Sequence, residues 1–222
     1  ALLAAAPAAA LAQAAGQMLV SVGEVRLVGA DGVQRTAERG AEVREGDQVL
    51  TGAGSLAQIR MRDGTLLSVR ADSDFKIERY AYAGSDDTNA SLFMSIVKGG
   101  LRSLTGAIGN LNRAGYRITT PTATVGIRGT DHETVFVPPN LPAPPVPPGT
   151  YDRVYAGQTI MQTAGQQVLI NPNQVGFAPP AGAPPVILPA IPPIFSAAPQ
   201  APPRMVRETP GSAPRETDAA KA

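Results

Sequence analysis

The chain has 222 residues and a formal net charge of +1, from 19 Lys or Arg against 18 Asp or Glu, so it lacks the bulk field that would draw in nucleic acid or an anionic membrane. It has no cysteine, which excludes structural disulfides, thiolate chemistry, cysteine zinc sites and a lipid-modified N-terminal cysteine. Apolar residues make up 43% but Trp is absent, and 23 glycines and 22 prolines favour turns and short strands around a Val, Ile, Leu, Ala and Met core.

The chain opens on "ALLAAAPAAALAQA", which is uncharged and apolar and ends in the A-x-A pattern Ala12-Gln13-Ala14; the first charged residue is Glu24. Residues 1–14 read as the back end of a secretory signal peptide, with a mature chain beginning near Ala15 and a periplasmic destination. The run is shorter than the ~20 residues a membrane span needs, and Pro7 interrupts it. No later stretch is long and apolar enough, so no span is expected in the mature chain.

Residues 18–177 alternate with period two. In "LAQIRMR", Ala57, Ile59 and Met61 share one face, and Gln58, Arg60 and Arg62 the other. "TLLSVR", "FKIERY", "YRITT", "TATVGI", "HETVFV", "DRVYA" and "QQVLI" repeat the pattern. Asp31-Gly32 and Asp63-Gly64 signal tight turns. No window shows a helical period. The expected fold is all-β: a single domain of many short strands, wound as a solenoid-like coil or β-sandwich.

Two segments interrupt that pattern. Residues 83–90, "AGSDDTNA", form a polar loop. Residues 138–149 carry seven prolines and read as an extended insertion between strands. From residue 178 to 222 twelve more prolines accumulate, giving a low-complexity tail expected to be polyproline-like and poorly ordered. Its apolar patch, residues 186–195, is read either as an arm packing on its own domain or as a docking segment for a partner.

Several motifs carry little chemistry. "GAGSLA", residues 52–57, fits a dinucleotide fingerprint, but it runs straight into an alternating strand and no helix N-terminus follows to meet a pyrophosphate. His132 is the only histidine, so any serine–histidine or metal-bound-water mechanism must pass through it. On a strand its neighbours Asp131 and Glu133 point to the opposite face, so it cannot share a site with both. Asp86-Asp87 lacks the spacing of a calcium loop. Asp72 and Asp74 share a strand face, as many ordinary solvated pairs do. Catalytic residues, metal ligands and cofactors are therefore expected to be none.

The pieces "GEVRLVGADG", "VREGDQVLTGAGSLAQIRMRDGTLLSVRADSDFKIERY", "VKGGLRSLTG", "YRITTPTATVGIRGTDHETVF" and "VYAGQTIMQTAGQQVLINPNQVGF" follow one another in this order. Together they resemble the FecR domain family over residues 18–177. The most specific element is "TPTATVGIRGTD". The resemblance implies an all-β periplasmic domain with strands wound in a solenoid-like coil. The best-known members regulate iron-siderophore uptake, span the inner membrane, carry a cytoplasmic anti-sigma segment and receive a signal from an outer-membrane transporter. The present chain departs from that plan. It reads as a periplasmic FecR-like protein with a leader in place of the anti-sigma and transmembrane parts, and so is not expected to reach a sigma factor.

Within "TPTATVGIRGTDHE", residues 120–133, Gly126 and Gly129 bracket Ile127-Arg128 and suggest a turn at φ values other residues resist. Ala123, Val125 and Ile127 are expected to face the core. Arg128 and Asp131 can pair or bond backbone carbonyls, and Arg102 in "GGLRSLTG" can act likewise, which makes these three the candidate site residues. The stretch reads mainly as a structural corner. The expected function is a non-catalytic module mediating protein or cell-envelope interaction in envelope signalling, with another periplasmic or outer-membrane protein, or peptidoglycan, as partner. The alternative is small-ligand or glycan binding at the polar loops.

Overall fold

Residues that alternate apolar and polar cannot bury one side of themselves as a helix, and here they form strands packed face to face. The protein is described as a computed structural model covering residues 13–196 except Arg128. The N-terminal strands are β1 (Ala14–Val22), β2 (Val25–Val28), β3 (Gln34–Thr36), β4 (Glu42–Arg44), β5 (Gln48–Thr51), β6 (Leu56–Met61), β7 (Leu66–Val69) and β8 (Asp74–Ala81). The long β9 (Ser91–Leu104) follows, then one helical turn α1 (Ile108–Leu111). The remaining strands are β10 (Tyr116–Thr119), β11 (Thr124–Ile127), β12 (Asp131–Val137), β13 (Gly149–Ala156), β14 (Thr159–Thr163), β15 (Gln166–Ile170), β16 (Val175–Ala178) and β17 (Val186–Ile187). Among the described residues no helix is long and apolar enough to cross a membrane.

The pairings resolve into two layers. One sheet runs β4-β1-β6-β7-β9-β12-β13-β16-β17. The other runs β3-β2-β5-β8-β9-β10-β11-β14-β15. All of these pairs are antiparallel except β9 with β10. The architecture is the expected all-β sandwich, and β9 stands at the middle of both layers. Its residues 91–98 lie between β8 and β10, and its residues 99–104 between β7 and β12.

The strand changes sheets at Gly99-Gly100. Gly99 has φ +75°, and a Cβ there would lie 2.3 Å from Ser73 Oγ. At Gly100 a Cβ would lie 2.4 Å from the Thr134 carbonyl oxygen. Only a residue without a side chain permits both the left-handed turn and the approach of neighbouring backbone. Buried Ser73 completes the corner: its Oγ accepts the Gly100 N–H at 3.0 Å.

Between the layers lies the main core, in which Ile59, Leu67, Phe75, Ile77, Leu92, Met94, Ile96 and Leu101 are sealed from solvent. The expected inward set Ala57, Ile59 and Met61 is buried here, as are Val125 and Ile127. A smaller cluster of Val125, Val154, Met161 and Ile170 continues the interior toward the C-terminal end. A third cluster lies on the outside of the first sheet, where Val135, Val137, Tyr151 and Val175 are covered by Phe195 with Leu188 and Ile194.

That third cluster decides between the two readings of residues 186–195 in favour of an arm packed on its own domain. Residues 178–196, expected to be poorly ordered, form an arm: Val186–Ile187 pairs with β16 and Phe195 is buried against the sheet. The physical reason is the row of apolar side chains on the outer face of β12, β13 and β16, which a polar face would not offer. Residues 197–222 lie outside the described residues, as do residues 1–12 of the expected leader. Ala14, its last residue, begins β1.

Local expectations hold at the turns. Gly32 and Gly64 have φ +77° and +85°, and "GAGSLA" is a turn with Gly54 at +65° that enters β6 directly. Two need correction. Gly126 lies inside β11 without a positive φ, and only Gly129 (φ +63°) takes the left-handed conformation. Asp72 (φ +54°) sits in the turn before β8 and does not share a strand face with Asp74.

Replacing Gly100 with Val is expected to cost about 3 kcal/mol or more, read from the urea-unfolding midpoint. Gly126→Ala meets nothing within 4 Å and is expected to stay within about 0.5 kcal/mol of the parent.

Candidate functional site

The densest chemistry gathers on β12 and β13. Alternation along β12 sends His132 and Thr134 inward and Asp131 and Glu133 outward. In the register Thr134 faces Asp152 and His132 faces Val154, so Asp152 on β13 also points inward. It is wholly buried, as is His132.

At the centre of the inner group both oxygens of Asp152 are paired. Asp152 accepts from Thr134 Oγ1 at 2.7 Å, from Thr159 Oγ1 at 2.6 Å, and faces His132 Nδ1 at 2.8 Å. A carboxylate only accepts, so the imidazole proton sits on Nδ1. On the other side of the ring, Nε2 lies 3.5 Å from Tyr116 Oη, whose hydroxyl donates to Ser103 Oγ at 2.6 Å. Burial pushes the Tyr116 phenol well above its ordinary 10.0. A serine, a histidine and an aspartate thus lie in one chain of contacts. However, the serine oxygen meets the phenol and not the imidazole, and all four residues are closed to solvent. No substrate atom can reach them.

The outer group forms a second network on the same strands. Arg102 holds Asp131 bidentately, through Nε to Oδ1 and Nη2 to Oδ2, both at 2.7 Å. That hydrogen bonding raises the Arg102 pKa. Buried Glu133 pairs with Arg70 and accepts from the Tyr155 hydroxyl at 2.7 Å. Burial, and then the hydrogen bond to Glu133, push the Tyr155 phenol upward. Two guanidinium groups lie over the Tyr155 ring, Arg102 at 4.0 Å and Arg153 at 4.5 Å from its centroid, a geometry that a flat delocalised cation favours. Arg70 also donates to the Ile194 carbonyl at 2.6 Å, which ties the arm to the network.

Of the three candidate residues, Arg102 and Asp131 therefore meet, as each other's partners. Arg128 itself lies outside the described residues. Asp152, Glu133, Tyr116, Tyr155 and Arg70 are the members that sequence reasoning did not single out. Asp152 left a signal, since "TYDRVY" places it in the same alternating set as Val154, and an acid in a core phase implies buried donors. In the loop 83–90, Asp87 accepts from the backbone N–H groups of Ala83 and Asn89. Among the described residues no three His, Cys, Asp or Glu side chains gather as a metal set.

Where the arm, the insertion and the β9 corner meet, a surface groove of about 570 Å³ opens. Val135, Val137, Leu141, Pro145 and Ile194 line it, with Lys98 at its edge.

A scan against known families matches residues 47–137 to the one described as FecR protein. Over this stretch the chain is similar to the FecR family. The match begins just before β5 and ends with β12, so the matched segment is the middle of both sheets and includes all of β9 and much of the main core, to which Met18, Leu27 and Val43 are added from outside it. The strands β1–β4 extend it on one side, and β13–β17 extend it on the other. Asp152, Arg153, Tyr155 and Thr159 belong to the second extension, so both polar networks stitch the matched segment to its added strands. A search of curated proteins returned no match. Among solved structures, two crystal structures of a Parabacteroides distasonis protein assigned as an anti-sigma factor are similar. They share 12% and 14% identity and a TM-score of 0.48 in each case, over 65% of this chain and 60% of theirs. This chain thus spans about 60% of their length.

His132→Ala leaves the Asp152 carboxylate buried without its imidazole, and is expected to destabilise by about 3–5 kcal/mol in chemical denaturation. Arg102→Ala, at the partly exposed outer pair, is expected to cost about 1–3 kcal/mol. The raised Tyr116 pKa gives a second test. A folded value above the unfolded one contributes stability that is fully present below about pH 10 and is lost as pH rises beyond it. The denaturation midpoint should therefore fall as pH rises above about 10, and Tyr116→Phe should make that fall shallower.

Proposed function

We propose that this protein is a non-catalytic FecR-domain module of the periplasm, delivered there by residues 1–14, that works in envelope signalling by binding another periplasmic or outer-membrane protein. One observation carries the reading. The side chains with chemical potential, His132, Asp152 and Glu133, are buried and hydrogen-bonded to one another's neighbours, so what the molecule offers a partner is surface. The similarity to the FecR family supports the same reading, because that family's best-known members, as noted above, are signalling regulators.

The groove beside Leu141 and Ile194 is the contact surface this reading favours. Two of its walls are proline-rich, and ordering a stiff chain on binding costs little conformational entropy. Asp72 and Ala143, both held at positive φ, line it as well, and such backbone persists only where the surrounding structure imposes it.

The same groove favours a second reading, a small ligand or a cell-wall glycan fragment, since its volume falls in the range of small-molecule sites. Crosslinking and pull-down with the full chain separate the two. A discrete protein partner should be recovered with the parent chain and lost with Leu141→Asp/Lys98→Glu, at an unchanged melting temperature. Recovery of the same protein by parent and variant alike would contradict the groove as contact surface. If instead muropeptides at about 100 times their dissociation constant add about 2.7 kcal/mol of stability, and no protein is captured, the glycan reading replaces the protein one.

A further inference from the structure

A two-layer sandwich whose sheets do not close has four strand edges, and each exposes a row of backbone donors and acceptors that can pair with another chain. Three of the edges here are blunted. β3 and β4 have three residues each, and β4 carries the Glu42–Arg44 ion pair. β17 has two residues and is bracketed by Pro184, Pro185 and Pro189.

Among the described residues the fourth edge, β15, has none of these protections. It is five residues long, "QQVLI", without proline, bulge or charge. The surrounding sequence is also uncharged: no Asp, Glu, Lys or Arg occurs from Val154 through Pro203. Leu169 is 42% exposed, and both glutamines at its start are exposed.

The direction of its backbone groups follows from the register. Thr120 N–H donates to the Ala123 carbonyl, closing the β10–β11 hairpin. Alternation then gives Ala123, Val125 and Ile127 to β10, and leaves Thr124 and Gly126 to bond β14 at Gln162 and Ile160. Thr159, Met161 and Thr163 are left to bond β15, at Ile170, Val168 and Gln166. Gln167 and Leu169 therefore turn their N–H and C=O groups away from the sheet.

We propose that β15 is a self-association edge, and that its occupant is the β15 strand of a second copy of this chain, paired antiparallel about an axis at Val168. An isologous contact must be self-complementary, and this one is. With Val168 opposite its own counterpart, Gln167 of each copy faces Leu169 of the other. Those are the two residues whose backbone groups point outward, so each such pair exchanges both hydrogen bonds. No charge is buried on either side, and half-buried Val168 adds apolar contact at the axis. The second sheets of the two copies become one continuous sheet. The groove beside Leu141 is not involved, so this inference stands independently of what binds there.

Sedimentation velocity on the full chain across a concentration series tests it. The parent should approach a doubled mass as concentration rises. Gln167→Lys/Leu169→Lys, which sets lysines opposite lysines at both pairs, should remain monomeric with an unchanged melting temperature. Because the chain has no other cysteine, Val168→Cys supplies a geometric readout. Two such residues face each other in a non-hydrogen-bonded pair, where Cα atoms come close enough for a disulfide. Val168→Cys should oxidise to a covalent dimer faster than Leu169→Cys does. A parent that stays monomeric throughout, a dimer that survives the double lysine variant, or equal crosslinking at the two positions would each overturn the proposal.

Discussion

The structure depends on one strand being shared. β9 is paired on both sides in each layer, first between β8 and β10 and then between β7 and β12. The two sheets are thus joined by continuous backbone as well as by side-chain packing. A strand can change layers in so short a distance only if the backbone turns sharply where neighbouring backbone is already close. Gly99-Gly100 allows this, with Ser73 filling the space that a side chain at Gly99 would occupy and the backbone of Thr134 and Val135 the space at Gly100.

The polar networks act on what is built outward from it. The segment of residues 47–137 that matches the FecR family ends at β12, which would be an open edge of the first sheet without β13. A one-residue slip of β13 along β12 would turn Asp152 out of the core and push Arg153 in. His132, Thr134 and Thr159 can satisfy Asp152 in only one register, and Glu133, Arg102 and Tyr155 check the same register from the outer face. Buried polar groups that are fully paired give specificity of this kind, while half-paired ones are strongly unfavourable. The same networks give the single histidine a structural place, buried against Asp152.

Much of this was legible in the sequence because the period-two code is local. The inward set of Ala57, Ile59 and Met61, the opposition of His132 to Asp131 and Glu133, and the Asp-Gly turns each depend on residues a few positions apart. What was not legible depends on register between distant strands. Arg102 finds Asp131 because β9 lies beside β12, and Tyr116 finds His132 only because the two sheets face each other at that depth. The conformation of Gly126 was misjudged because a glycine in sequence reports permission, and the strand it sits in decides whether that permission is used. Of the two readings open for residues 186–195, the packed arm is the one found, because its apolar side chains meet the apolar outer face of β12 and β13.

Native-state hydrogen exchange tests the central claim most directly. If β9 welds the layers into one unit, the amides of Met94 in the second sheet and Leu101 in the first should exchange only through the same global opening, with equal opening free energies and equal denaturant dependence. The amide of Val154, beyond the seam, should join them. Separate opening free energies for Met94 and Leu101, with one layer exchanging while the other stays protected, would contradict the account.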